Sequence, residues 1–123
     1  MPQGLNRRRV LVVDDERNQR LTLSHILTEE GFDVVTAESG ERAVRLCGEG
    51  RFDVVLLDVR LPGIDGVETA RRIRRTQDPL VILMSAYRVE QLELEALADG
   101  ARAFLRKPID PATLLDLVRQ VPT

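Results

Sequence analysis

The chain has one cysteine, Cys47, in 123 residues. Neither an internal disulfide nor a thiolate metal cage can form, and a cytoplasmic location fits this usage best. Cys47 itself reads as a small buried residue on a helix rather than a redox centre. Charge of one sign is also scarce: 18 Lys and Arg stand against 20 Asp and Glu, a formal net charge of −2. That is the wrong sign for direct nucleic-acid binding and too small for a disordered acidic tail. Long hydrophobic runs are missing as well. The apolar stretches are strand-sized, and the polar, arginine-rich residues from Met1 to Arg9 are followed by none long enough for export or a membrane span. The length leaves room for one core, so residues 1–123 are expected to form a single domain folded over about 8–120.

Five short apolar segments rich in β-branched residues alternate with helically spaced ones: Val10–Val13, Val34–Thr36, Val54–Leu57, Leu80–Met84 and Ala103–Leu105. Such alternation predicts an α/β fold, a doubly wound (βα)5 unit with a parallel sheet and helices on both faces. The first, third and fourth segments are nearly all apolar, as central strands buried on both faces must be. The second and fifth are shorter or less apolar and belong at the edges.

The first predicted helix carries Leu23, Ile26 and Leu27 and stops at Gly31, which suits a left-handed C-cap; His25 falls on its solvent side. Ser39 reads as N-cap of a second helix with Ala43, Val44 and Cys47, stopped by Gly48 or Gly50. Asp65-Gly66 opens a third, with Val67, Ala70 and Ile73, on which Glu68 can pair with Arg71 and Arg72. A fourth is expected to carry Leu94, Leu97 and Ala101 inward and Glu90, Glu93, Glu95 and Asp99 outward. The fifth has Asp110 as N-cap, Pro111 at its first position and Leu114, Leu117 and Val118 on one face.

Right-handed crossovers put the carboxyl ends of all five strands on one rim, where open α/β sheets place their ligands. That rim collects Asp14, Asp15, Asp58, Ser85 and Lys107. Three converging carboxylates repel one another, so a hard cation such as Mg²⁺ is expected between them. Asp58, ending the most apolar segment, is the candidate nucleophile toward a phosphoryl group. Mg²⁺ on Asp15 and Asp58 would cover one side of that group, with Asp14 holding metal-bound water or a place just outside the metal's own ligands. Lys107 and the Ser85 hydroxyl would meet its oxygens on the other.

With these pieces in order and spacing, the chain resembles the response-regulator receiver domain of two-component signalling, the CheY-like family, from Val10 to about Val118. The pieces are Val-Val-Asp14-Asp15-Glu16, Asp58-Val-Arg-Leu-Pro62-Gly-Ile-Asp65-Gly66, Met84-Ser85-Ala86 and Lys107-Pro108. The resemblance implies a flavodoxin-like strand order of 2-1-3-4-5. It makes Asp58 the phosphoacceptor, Asp14 and Asp15 the acidic pair, Ser85 the switch hydroxyl and Lys107 the phosphate-pairing lysine. It also makes the Arg60 backbone carbonyl a metal ligand and Phe104 the aromatic that changes rotamer with Ser85. Taken by itself, Phe104 is most simply an edge-strand residue half-buried against the fifth helix. The resemblance further favours a cis Lys107-Pro108 bond and Mg²⁺, or Mn²⁺ in its place, as the cofactor. Arg60 and Tyr87 lie two residues past Asp58 and Ser85, positions that the resemblance implies govern water access to the acyl phosphate, and their bulk is expected to prolong the phosphorylated state.

The function so implied is a phosphorylation-dependent switch. Asp58 takes a phosphoryl group from a sensor histidine kinase or phosphotransfer protein, and the surface of helix four, strand five and helix five is remodelled for an output domain or downstream protein. Arg17, Asn18, Arg20 and Leu21 are reasonable docking positions for the kinase. Dimerisation on phosphorylation stays open, as does the choice between a stand-alone receiver and the first domain of a longer regulator. The chain would catalyse only its own phosphorylation and dephosphorylation. A phosphohydrolase of the haloacid-dehalogenase type needs a second Asp two positions after the nucleophile, where this chain has Arg60. A flavin phosphate would be repelled by Asp14-Asp15-Glu16. The alternative that survives is a pseudo-receiver acting as a phosphorylation-independent interaction module.

Overall fold

The structure is a computed structural model and describes residues 8–86, 95, 97 and 99–120. Its elements follow one another as β1 (Arg9–Val13), α1 (Arg17–Glu29), β2 (Asp33–Ala37), α2 (Gly40–Glu49), β3 (Val54–Asp58), α3 (Gly66–Ile73), β4 (Leu80–Ser85), β5 (Ala103–Arg106) and a C-terminal helix (Pro111–Val118). The strands form one parallel sheet in the order β2-β1-β3-β4-β5. This is the order the resemblance implied, and each predicted strand is present with its ends extended by at most two residues.

Burial explains the order. Every residue of β3 is buried and β1 and β4 are buried but for their first residues, whereas β2 and β5 are largely half-exposed. Strands apolar on both faces therefore take the three central places. Two cores result. Leu11, Val13, Val55, Leu57, Val81 and Leu83 face α2 and α3, meeting Ala43, Cys47, Ala70 and Ile73. Val10, Val12, Val54, Leu56, Ile82 and Met84 face α1 and the C-terminal helix, meeting Leu23, Leu27, Leu114 and Val118. Each fully buried Leu or Ile in these layers stabilises the fold by roughly 1.5–3 kcal/mol.

The helices start and stop where their side chains dictate. Ser39 Oγ accepts from Arg42 N at 3.1 Å, Asp65 Oδ1 from Glu68 N at 2.8 Å and Asp110 Oδ2 from Thr113 N at 3.2 Å. Each bond satisfies an amide that the first helical turn leaves without a partner. Gly31, at φ +91°, ends α1, and Gly50 follows the last residue of α2. The Lys107-Pro108 peptide is cis. Among the described residues no helix is long and apolar enough to cross a membrane.

Two expectations are corrected and several fall outside the described residues. Leu97, expected in the core, is 41% exposed. Phe104 packs with the α2/α3 core, not against the C-terminal helix, because its neighbours Ala103 and Leu105 take that face and side chains alternate along a strand. Tyr87, Glu90, Glu93 and Leu94 lie outside the described residues. Of the acids predicted to face outward on the fourth helix, Asp99 is held by Arg71, with Nη2 to Oδ2 at 2.8 Å.

Candidate functional site

Strand pairing continues past the strand ends and carries the chemical residues with it. Asp14 N donates to Ala37 O at 3.1 Å, Val59 N to Met84 O at 2.9 Å and Lys107 N to Ser85 O at 2.8 Å. Asp14 therefore keeps the pleat of Val10 and Val12, Asp58 that of Val54 and Leu56, and Lys107 that of Ala103 and Leu105. All three residue pairs before them face the α1 side. Period-two alternation brings these three side chains to one side of the sheet at one rim.

They meet there. Lys107 Nζ donates to Asp14 Oδ2 at 2.7 Å and to Asp58 Oδ2 at 2.8 Å. Each carboxylate's other oxygen is also held: Glu16 N donates to Asp14 Oδ1 at 2.9 Å, and Arg60 N to Asp58 Oδ1 at 3.0 Å. Asp14 is fully buried and Asp58 nearly so, while Asp15 beside them is exposed. A cleft of about 330 Å³ opens onto Asp14, Asp15, Glu16, Asp58, Arg60, Ala86 and Lys107. Ser85 is buried at the end of β4. Phe104 does not line this cleft; it pairs in register with Leu83, two residues before Ser85, so Phe104 and Ser85 project from the same face of the sheet.

Electrostatics follow from this packing. Burial pushes the Asp58 carboxyl above the usual carboxylate range, opposed by the hydrogen bonds from Lys107 and the Arg60 amide and reinforced by the Asp14 charge. Burial pulls the Lys107 ammonium down, but its bonds to Asp14 and Asp58 and their charges outweigh that, and its pKa is raised. Away from the site, burial pushes the Cys47 thiol up to about 11, which removes it from thiolate chemistry near neutrality.

Three carboxylates against one ammonium leave a formal charge of −2 at the cleft, and one oxygen from each of Asp14, Asp15 and Asp58 lies within 4.8 Å of the other two. Oxygens on opposite sides of a Mg²⁺ ion are about 4.2 Å apart, twice the usual bond length. The donor set thus suits a small hard dication in type, charge and spacing.

Two residues near the site were not singled out for what they do. Arg20 of α1, offered above as a docking position, also donates its guanidinium to Asp14 O at 2.8 Å. Glu41 of α2 accepts from Ile64 N at 3.1 Å in the loop after Asp58. No local pattern signals either contact.

Residues 10–119 match the family of response regulator receiver domains. The transcriptional regulatory protein AfsQ1 of Streptomyces coelicolor is 39% identical over 112 residues, covering 91% of this chain and 50% of AfsQ1. The regulatory protein AtoC of Escherichia coli is 40% identical over 104 residues, covering 83% of this chain and 22% of AtoC. The chain thus spans half or less of the length of these relatives. The response regulator TrrA of Thermotoga maritima, solved in complex with Mg²⁺-BeF, superposes with a TM-score of 0.83 at 36% identity, over 94% of this chain and 99% of that one.

Proposed function

The chain belongs to the family of response regulator receiver domains, and on that premise we propose that it is a phosphorylation-dependent switch whose phosphoacceptor is Asp58. The observation that carries the reading is the Lys107 ammonium set 2.7 Å from Asp14 and 2.8 Å from Asp58 within a cluster of three acids at the carboxyl rim.

The donor is a phosphohistidine on a sensor histidine kinase or phosphotransfer protein. An Asp58 carboxylate oxygen forms the new P–O bond as the P–N bond breaks, and the imidazole leaves with the bonding pair and takes up a proton. Mg²⁺ held by Asp14, Asp15, Asp58 and the Arg60 carbonyl would supply charge neutralisation for the transferred group; Mn²⁺ could replace it. Lys107, already poised on Asp58, exchanges its carboxylate contact for the incoming phosphoryl oxygens. Ser85, at the end of the neighbouring strand, donates its hydroxyl to the same group. That TrrA, 36% identical to this chain, was solved in complex with Mg²⁺-BeF supports a Mg²⁺ site by similarity.

The new charge draws Ser85 and the segment after it inward, and Phe104 turns toward the space left on their common face. The surface of helix four, β5 and the C-terminal helix then presents an altered contact to an output domain or downstream protein. This is a shift between two packings, for which a preference of a few kcal/mol suffices.

Intact-protein mass after incubation with a small acyl phosphate, with and without Mg²⁺, tests the reading. A single Mg²⁺-dependent, base-labile phosphate adduct is expected on wild type and none on Asp58→Asn. No adduct on wild type under any condition would overturn it in favour of a phosphorylation-independent interaction module.

A further inference from the structure

The loop from Val59 to Asp65 carries Arg60, whose amide already holds Asp58 Oδ1, and it is braced from outside the site by α2. Glu41 Oε2 accepts from Ile64 N at 3.1 Å. The same carboxylate lies against Gly63, where an added Cβ would stand 2.4 Å from Oε2. Gly63 itself has φ +77°, so the turn needs glycine both for its backbone and for the room that Glu41 takes. One residue earlier, Gly40 closes the gap between α2 and the loop: a Cβ there would stand 2.1 Å from Thr69 Oγ1 and 2.7 Å from Ile64 Cγ1. At the far end, the loop is closed by Gly66 N donating to Val59 O at 2.8 Å.

From this bracing we infer that Glu41 is a positioning residue for the Asp58 site, holding the Arg60 segment in place for the cation through the Ile64 amide. The inference rests on the phosphoacceptor reading above. Glu41 does not line the acidic cleft. Its leverage is geometric. The Arg60 backbone donates its N–H to Asp58 Oδ1 and, on the phosphoacceptor reading, would offer its carbonyl to the cation, so a loop that drifts would loosen both. The Ile64 amide in turn holds the Glu41 carboxyl below the usual carboxylate range, so the tether is an ionised acceptor near neutral pH.

Three readouts on wild type, Glu41→Ala and Glu41→Gln test this: the exchange rate of the Ile64 amide by NMR, the Mg²⁺ dissociation constant by calorimetry, and the rate of adduct formation by intact mass. Supporting groups one contact from a metal site typically carry 10–100-fold in affinity, and Glu41 acts one contact further out, so Glu41→Ala is expected to weaken Mg²⁺ binding about three- to tenfold. Its Ile64 amide should exchange about tenfold faster, as loss of a hydrogen bond to a charged acceptor requires. Adduct formation should slow with Mg²⁺ affinity and recover at saturating Mg²⁺. Glu41→Gln retains an acceptor oxygen and should stay within about twofold of wild type on all three. Fast Ile64 exchange with unchanged Mg²⁺ affinity, or unchanged exchange, would overturn the inference while wild type still forms the adduct. A wild type that binds no Mg²⁺ and forms no adduct would instead refute the phosphoacceptor reading, and the positioning role with it.

Discussion

Replacing Lys107 by methionine removes the cation that bridges two buried carboxylates while leaving a side chain of similar length. In the native site the ammonium lies 2.7 Å from Asp14 and 2.8 Å from Asp58. Without it, acidic oxygens within 4.8 Å of one another face each other directly. At an effective dielectric of about 20, two unit charges at that outer limit repel by about 3.5 kcal/mol, which the ammonium offsets in the native site. The repulsion also has a ceiling, because a carboxyl can take up a proton instead. Raising one from its ordinary value of about 3.9 to neutrality takes about three pKa units, or about 4 kcal/mol. Lys107→Met is therefore expected to lose about 3–4 kcal/mol at pH 7, in line with the cost of removing one partner from a buried ion pair. The deficit should shrink as the pH falls, since protonation of Asp58, already favoured by its burial, relieves it. Adding Asp58→Asn to Lys107→Met removes the repulsion by another route and should restore most of the loss. Urea denaturation followed by far-ultraviolet circular dichroism measures all four members of this cycle. A loss below about 1 kcal/mol in the single variant would refute the argument, since the pair could then not be desolvated as described. So would a double variant no more stable than Lys107→Met.

Three further outcomes follow from the same site. Burial raises the Asp58 carboxyl, so the folded chain binds this proton more tightly than the unfolded chain, and ionising Asp58 costs stability as pH rises through its folded value. Asp58→Asn should thus be more stable than wild type at pH 7, with the gap closing below the ordinary carboxyl pKa, as denaturation across pH will show. Mg²⁺ should stabilise wild type by about 2.7 kcal/mol at a hundred times its dissociation constant, and calorimetric titration should find that affinity sharply reduced in Asp15→Asn. At Gly66 an added Cβ would stand 2.3 Å from Asp58 O and 2.8 Å from Val59 Cα, both backbone atoms that cannot swing away. Gly66→Ala should therefore cost about 1–3 kcal/mol in thermal or urea denaturation and slow adduct formation on Asp58.

The five strands, their central and edge places, the caps at Ser39 and Asp110 and the helix start at Asp65 were legible because each is written in a few consecutive residues. Apolar runs of four or five report strands buried on both faces, and a capping side chain acts on amides two or three positions away. The convergence of Asp14, Asp58 and Lys107 was legible for the same kind of reason: each follows an apolar strand with the same parity, and parallel strands align their carboxyl ends. What the tertiary structure alone decided are matches between distant elements. Lys107 takes Asp14 as well as Asp58 across 93 and 49 residues of chain, Phe104 joins the α2/α3 core, Arg71 reaches Asp99, and Glu41 grips the loop at Ile64. These contacts depend on how far each helix is rotated against the sheet and on where each crossover sets it down. Local periodicity carries the pleat and the helical face, but the rotation comes from packing two apolar layers at once, and only the folded chain contains both.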